Sequence, residues 1–363
     1  MNSGIGNNIR LSVFGESHGV AIGCLLEGLP SGVKIDYESV LAQMARRAPG
    51  KDKTATTRSE ADIPEIISGI VEGVTTGAPL AIIIKNSDTR SHNYNNIKDN
   101  PRPSHSDFAA AVKYGGNNDI RGGGHFSGRL TAPIVAAGAI CRQILKQKGI
   151  TVGGHISQIG TVADTPFDPV NVSANELDNL SKKFFALNNL DCEEPMRNEV
   201  EQARLGLDSV GGMVELAAVG LPVGLGNPMF SGVENVVANM LYGIPAVKGV
   251  SFGAGFGYAS MKGSVANDQM YFADDGTVKC YTNNCGGITG GITNGMPLIV
   301  SVAVKPTPSI AKEQKTVNLK TGENSTLQIE GRHDPCIVPR ALPVLEAALS
   351  VALLDLLVKG DRV

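Results

Sequence analysis

The sequence predicts a protein of mixed helix and strand, built around two long buried helices. Three observations carry that reading. Two stretches, "GRLTAPIVAAGAICRQILKQKG" at 128–149 and "PRALPVLEAALSVALLDLLVKG" at 339–360, are apolar on nearly all faces for several turns, as a helix covered on several sides must be. Short β-like runs bounded by Gly or Pro recur between them. Hydrophobic residues make up 42% and charged residues 18%, the balance of an ordinary globular chain.

Taken in order, the β-like runs are "IRLSVF" at 9–14, "AIGCLLEG" at 21–28, "GMVELAAVG" at 212–220, "VKGVSFGAG" at 247–255 and "PLIVSVAV" at 297–304. Amphipathic spacing predicts shorter helices at 36–47, 106–114, 174–188, 194–206 and 231–242. Each long helix carries a proline near its start and ends in lysine and glycine, the expected stop. The stretches 85–105 and 305–335 run long without a period and read as polar loops, which inside compact folds are more often functional than decorative. With 363 residues the chain can bury a large core, and one domain, 1–363, is the expectation.

The formal net charge of −3 gives no general attraction to nucleic acid, so an anion site must be a local concentration of Arg and Lys. The six cysteines form no C-x-x-C pair and are read as reduced thiols. The N-terminus lacks a signal-peptide pattern, and no stretch approaches the ~18 unbroken apolar residues of a membrane span, which predicts a cytoplasmic protein with no membrane partner.

Four segments gather polar groups beside glycine or proline. In "FGESHG" at 14–19 a strand ends on Ser17 and His18; no G-x-S-x-G elbow is present, so His18 is either a general acid or a hydrogen-bonded turn histidine. "ARRAPGKDK" at 45–53 closes a helix on Arg46 and Arg47 and continues to Lys51 and Lys53, an anion site or a solvated helix end. "RPSHSD…RGGGHFSGR" at 102–129 sets Arg102, His105, Arg121, His125 and Arg129 around bare backbone. Glycine lets N–H groups approach an anion and Arg can grip one with two parallel hydrogen bonds, but neither the P-loop nor the dinucleotide spacing is there. "KPTPSI…GRHDP" at 305–335 carries Lys305, Ser309, Arg332, His333 and Asp334, with Arg340 following; Asp334 is either a structural ion-pair partner or a base. No H-E-x-x-H or D-x-D arrangement occurs, so the site is expected to be cationic and free of metal.

These segments, with "RRAPG", "EGVTTGAPL", "KYGG", "GLGNP", "AVKGVSFG", "GGITGGI" and "GRHDPC", follow the order of the chorismate synthase family from residue 10 to about 345, and the chain resembles that family over almost its whole length. The resemblance implies an α+β fold, a single-domain β-α-β sandwich with two long central helices between antiparallel sheets, assembled as a homotetramer. It implies conversion of 5-enolpyruvylshikimate 3-phosphate to chorismate, the last common step toward the aromatic amino acids. That reaction is an anti-1,4-elimination of phosphate that requires reduced FMN without net redox change.

By the same resemblance, His18 protonates the departing phosphate and His105 supports the reduced flavin. Asp334 and Ser17 match a pair that relays a proton at flavin N5. Arg46, Arg47, Arg129 and Arg340 fall where the family holds substrate phosphate and carboxylates. Flavin contacts fall on His125, Phe126, Ser127, Pro245, Ala246, Gly290, Lys305, Pro306, Thr307, Pro308, Ser309 and Arg332, and an NADP phosphate would fall near Arg47 and Lys53. Many members read Arg-Ser-Ser where this chain has His125-Phe126-Ser127, and Asn-Ala where it has Pro245-Ala246. No dinucleotide fingerprint or reductase domain is visible, so an external flavin reductase is the expected source of reduced FMN. A flavin-dependent oxidoreductase acting on an anionic substrate and a non-enzymatic anion-binding protein are the competing readings.

Overall fold

The computed structural model describes residues 3–48, 50, 62–86, 95–329 and 334–358, with backbone alone at 95 and 96. Two antiparallel five-stranded sheets face each other across the two long helices. The first sheet runs, in spatial order, Gly4–Ile5, Arg10–Gly15, Ala21–Glu27, Leu80–Lys85 and Glu65–Ser68. The second runs Val247–Phe252, Leu298–Val304, Gly212–Val219, Thr151–Ile159 and Val162–Ala163. The helix Thr131–Gln147 packs on the first sheet and Val338–Leu357 on the second, and the two helices pack on each other.

That helix contact is unusually close. A methyl group built on Gly138 would stand 2.5 Å from Ala347 Cα, so the two backbones meet with no side chain between them. Runs of small residues, Ala136, Ala137, Ala139, Ala348 and Ala352, let the helices stay close on either side, and all are buried. Pro339 occupies the first turn of the last helix, where no N–H is needed. Gly149 takes a φ of 79° directly after the first long helix, a turn that favours glycine.

The helix expected at 36–47 forms as Tyr37–Arg47, capped by the Asp36 side chain accepting from Glu38 N–H at 3.0 Å. Those at 106–114, 194–206 and 231–242 form as Asp107–Lys113, Glu193–Leu205 and Val233–Tyr242. The helix expected over 174–188 stops at Leu180, where the chain turns so that Ala186 can accept a backbone hydrogen bond from Ile156 in the second sheet. Within 305–335, read as loop, Gln314–Asn318 and Glu323–Leu327 form a hairpin, fastened by Thr316 Oγ1 donating to Pro101 O at 2.5 Å and Leu319 N–H to Asp99 O at 2.8 Å. Its solvated face and polar composition hid it from a hydrophobic pattern.

Two buried charged groups tie distant segments together. Asp355, 3% exposed near the end of the last helix, accepts backbone N–H bonds from Asn7 at 3.0 Å, Asn8 at 2.6 Å and Ile9 at 2.8 Å. His155, fully buried in the second sheet, bonds Asp164 through Nδ1 at 2.8 Å and Glu215 through Nε2 at 2.9 Å. Asp164 also accepts from the N–H groups of Asn188 and Asn189, Glu215 accepts from Phe167 N–H, and the Phe167 ring lies edge-on to the imidazole. Burial works to lower the His155 pKa, but its two carboxylate partners outweigh burial and raise it.

Replacing the Asp355 carboxylate by an amide, Asp355→Asn, leaves N–H groups facing an NH₂; it is expected to cost about 2–4 kcal/mol of stability, read by denaturant unfolding. Because the folded pKa of His155 lies above the unfolded value, its contribution is complete below about pH 6.5 and declines as pH rises through the folded value. The stability gap between the native chain and His155→Gln should therefore narrow on the alkaline side; a gap constant from pH 5 to 9 would contradict this.

Candidate functional site

The glycines of "RGGG" fill the space between two histidines. Residues 121–126 form a 3₁₀ turn in which Gly122, Gly123 and Gly124 take φ of 58°, 85° and 53°. A side chain on Gly122 would overlap the His18 ring and the Ser17 hydroxyl, and one on Gly123 would stand 3.3 Å from His105 Cε1 and 3.4 Å from its Nε2. Ser17 N–H donates to Gly124 O at 3.1 Å, binding the "FGESHG" turn to this one. The bare backbone thus lets His18 and His105 approach one narrow strip from its two sides. Ser17 and His18 are buried, at 8% and 7% exposure.

His105 is held from behind. Asp107 Oδ1 lies 2.5 Å from His105 Nδ1, and since a carboxylate only accepts, Nδ1 carries the proton and Nε2 is turned toward Gly123. Asp107 in turn accepts from Arg102 Nε at 2.7 Å and Nη2 at 2.8 Å, and Arg102 Nη1 donates to Ser309 Oγ at 3.2 Å. Burial works to raise the Asp107 pKa, but hydrogen bonds from Arg102 and His105 outweigh it and hold the carboxyl well below its usual range. Asp107 lies inside "RPSHSD", yet nothing in that string distinguishes it from the helix-capping acid expected at such a place.

The segment 305–309 joins this group. Lys305 Nζ donates to Ser104 O at 2.8 Å and Lys305 N–H to Ala246 O at 2.9 Å. Burial, with Lys248 nearby, lowers the Lys305 pKa. Ala246 holds a φ of 74°, a conformation costly for a residue with a Cβ. Ser209 Oγ donates to Thr307 O at 2.7 Å, while the buried Thr307 Oγ1 has no hydrogen-bond partner among the described residues. A buried hydroxyl that the protein leaves unsatisfied is a group that a bound ligand can satisfy.

The arginines form the second half of the site, where the two long helices begin side by side. Arg47 donates from Nη2 to Gly128 O at 3.0 Å and from Nε to Thr131 Oγ1 at 3.2 Å, at the entry of the first long helix. Arg340, in the first turn of the last helix, donates from Nε to Arg47 O at 3.1 Å and from Nη1 to Asp334 at 2.5 Å. Arg129 donates from Nε to Asn86 Oδ1 at 3.1 Å. Asn86 Nδ2 donates to Glu16 O at 3.0 Å and Gly19 O at 2.9 Å, so one amide links the arginines to the His18 turn. Asn86 was not foreseen; an isolated Asn at a strand end carries no sequence signal. Two helix N-termini and three guanidiniums in one place make a strongly anion-seeking pocket.

Not every expected residue converges. Arg46 points away from this cluster, to Glu346 Oε2 at 2.5 Å, Gln43 Oε1 at 2.7 Å and Lys183 O at 3.0 Å, with Arg142 also 3.8 Å from Glu346. His125 bonds Gly15 O through Nδ1 and Ser3 Oγ through Nε2, both at 2.9 Å, so its ring clamps the glycine turn to the first sheet. Phe126 is 38% exposed, with its ring centroid 6.3 Å from that of Tyr114. Ser127 Oγ accepts from Arg129 N–H at 3.3 Å. Pro306 and Pro308 frame Thr307, and Pro245 is exposed beside Ala246. Gly290 lies in the turn between Ile288–Thr289 and Ile292–Thr293, open on its side-chain side. Arg332 and Lys53 lie outside the described residues.

Comparison with known proteins shows the family of the chain. A family model described as chorismate synthase matches residues 9–358. A chorismate synthase of Methanocella arvoryzae is 44% identical over 358 residues, covering 99% of this chain and 95% of the relative. That of Thermococcus kodakarensis is 46% identical over 354 residues, covering 98% and 97%. That of Dehalococcoides mccartyi is 43% identical over 360 residues, covering 99% and 98%. A solved chorismate synthase structure superposes with a TM-score of 0.75 at 26% identity, over 97% of this chain and 92% of its own. Identity of this extent over nearly the whole chain, on a matching α+β fold, places the chain in the chorismate synthase family.

Proposed function

We propose that this site converts 5-enolpyruvylshikimate 3-phosphate to chorismate by anti-1,4-elimination of phosphate. The observation that carries the reading is the junction of two parts: His18 and His105 flanking Gly122 and Gly123, and Arg47, Arg129 and Arg340 gathered at two helix starts. The substrate brings a phosphate and two carboxylates, and three fixed guanidiniums offset that charge without reorganising. The family match favours this lyase over the oxidoreductase reading.

His18, buried against the Gly122 backbone, is placed to give a proton to the departing phosphate. Arg47, Arg129 and Arg340 hold the phosphate as its negative charge grows. Ser17, beside Gly122, and Asp334, paired with Arg340, are proposed to carry away the proton lost from C6. Arg46 anchors the end of its helix to Glu346 and so acts on the substrate only through its neighbour Arg47.

The residues fit reduced FMN as the cofactor. The Thr307 hydroxyl is buried without a partner among the described residues and Lys305 Nζ donates to Ser104 O next to His105; 125–127, 245–246, 290 and 305–309, with Arg332, are the segments proposed to hold it. When bound, reduced FMN supplies the electron density that makes loss of a non-acidic hydrogen feasible. His105, oriented by Asp107, would hold its Nε2 toward the flavin edge.

The single connected core, from Ile9 to Leu354, supports one domain. Phe230, Phe256, Met229 and Phe272 are 80% or more exposed, and Val247–Phe252 is an open sheet edge; both support the reading that copies assemble, as in a homotetramer. Among the described residues no helix is long and apolar enough to cross a membrane. A cytoplasmic setting with an external flavin reductase completes the proposal.

Under nitrogen, protein, substrate and photoreduced FMN should release phosphate and chorismate in equal amounts with a transient change in the flavin spectrum and no stoichiometric loss of reductant. In air with NADPH and FMN alone, no turnover is expected. Stoichiometric consumption of reduced flavin would instead establish the oxidoreductase reading. Asp107→Asn turns one of the two acceptor oxygens, both used by Arg102 and His105, into an NH₂ donor, so the His105 tautomer is no longer fixed; kcat is expected to fall about 10²–10⁴-fold while phosphate binding is kept. Because the Asp107 pKa is depressed, the stability it contributes is present above about pH 4 and lost as pH falls further, so the variant should lose part of the acid limb of the native unfolding profile.

A further inference from the structure

Asp62 belongs to none of the polar segments that mark the site in the sequence, yet its carboxylate sits at the centre of the arginine cluster. Its side chain is fully buried. Oδ2 accepts from Arg47 Nη1 at 2.6 Å, and Oδ1 accepts from Arg129 Nη1. Its backbone takes a φ of 47°, a conformation aspartate reaches more readily than most residues but still at a cost. Two residues on, Pro64 O accepts from the Tyr37 hydroxyl, and the strand Glu65–Ser68 pairs with Leu80–Lys85. The carboxylate is therefore delivered to the arginines from the edge of the first sheet.

We propose that Asp62 is a positioning residue for anion binding: by bridging Arg47 and Arg129 it sets both guanidiniums in one orientation and offsets their mutual repulsion, so that the substrate's phosphate or carboxylate meets them already arranged. This rests on the assignment of Arg47 and Arg129 to the substrate. A guanidinium has five N–H donors in a rigid fork. Among the described residues, Arg47 commits one to Asp62, one to Thr131 and one to Gly128, and Arg129 donates to Asp62, to Asn86 and, at 3.5 Å, to Lys85 O. Each fork is gripped by internal acceptors on more than one side. Little side-chain freedom is then left to lose when the ligand binds.

A neutral acceptor would not do the same. Burial, with Arg340 close by, lowers the Arg47 pKa to about 10; Asp62 opposes that fall and Arg129 adds to it. The other charged group at hand, Asp334, is already engaged by Arg340. Removing the Asp62 charge leaves three facing guanidiniums with one fewer counter-charge, and Arg47 gives up its proton at lower pH.

The test is the anaerobic assay with the full chain and reduced FMN. For Asp62→Asn, KM for 5-enolpyruvylshikimate 3-phosphate is expected to rise about tenfold or more with kcat within about threefold. Asp62→Glu keeps the charge but lengthens the arm; it should raise KM too, and it serves alone if Asp62→Asn does not fold. An unchanged KM in either folded variant overturns the proposal, as does a lower KM, which would make Asp62 a competitor of the substrate. Arg129→Ala separates the two layers. If it too leaves KM unchanged, the substrate assignment fails; if it raises KM while the Asp62 variants do not, only the role of Asp62 fails.

Discussion

The close approach of the two long helices, Gly138 against Ala347, is the constraint on which the site depends. With no side chain between them, the two long helices run together and begin at the same place. Their first turns present Gly128, Thr131 and Arg340 to Arg47, and the positive ends of both helix dipoles face one pocket. A bulkier residue at 138 would separate the backbones and carry the sheets, and the histidine turns seated on them, with it.

A pocket so rich in cations within a protein of net charge −3 can exist only because each guanidinium is paired before substrate arrives. Burial of an unpaired charge costs several kcal/mol, and a paired one much less. Asp62, Asp334 and Glu346 serve Arg47 and Arg129, Arg340, and Arg46 respectively. The first two pairings lie where the two long helices begin; the third is sealed between helices and holds the frame. Adjacent residues in the sequence, Arg46 and Arg47, thus do opposite work because they project from different faces of the same helix.

The histidine half is organised by backbone rather than by charge. Three glycines at positive φ let His18 and His105 stand against the same strip of chain, while His125 and Asn86 stitch that strip to the first sheet. His125 turns inward to Ser3 and Gly15, so its ring fastens the glycine turn rather than reaching out of it.

Much of this was legible in the residues alone. The two long helices follow from apolar composition on all faces, which only a covered helix sustains, and the clusters of Arg, His and Gly followed from their local spacing. The strand Thr151–Ile159 was not read, because "TVGGHISQI" holds two glycines and a histidine, and only pairing with Gly212–Val219 gives them a place. What tertiary structure alone decided is partnership. Asp62 meets Arg129, Asn86 meets Glu16 and Arg46 turns to Glu346 across separations that no local pattern encodes. Periodicity reports which face of an element is buried; which charge waits there is set by how the elements pack.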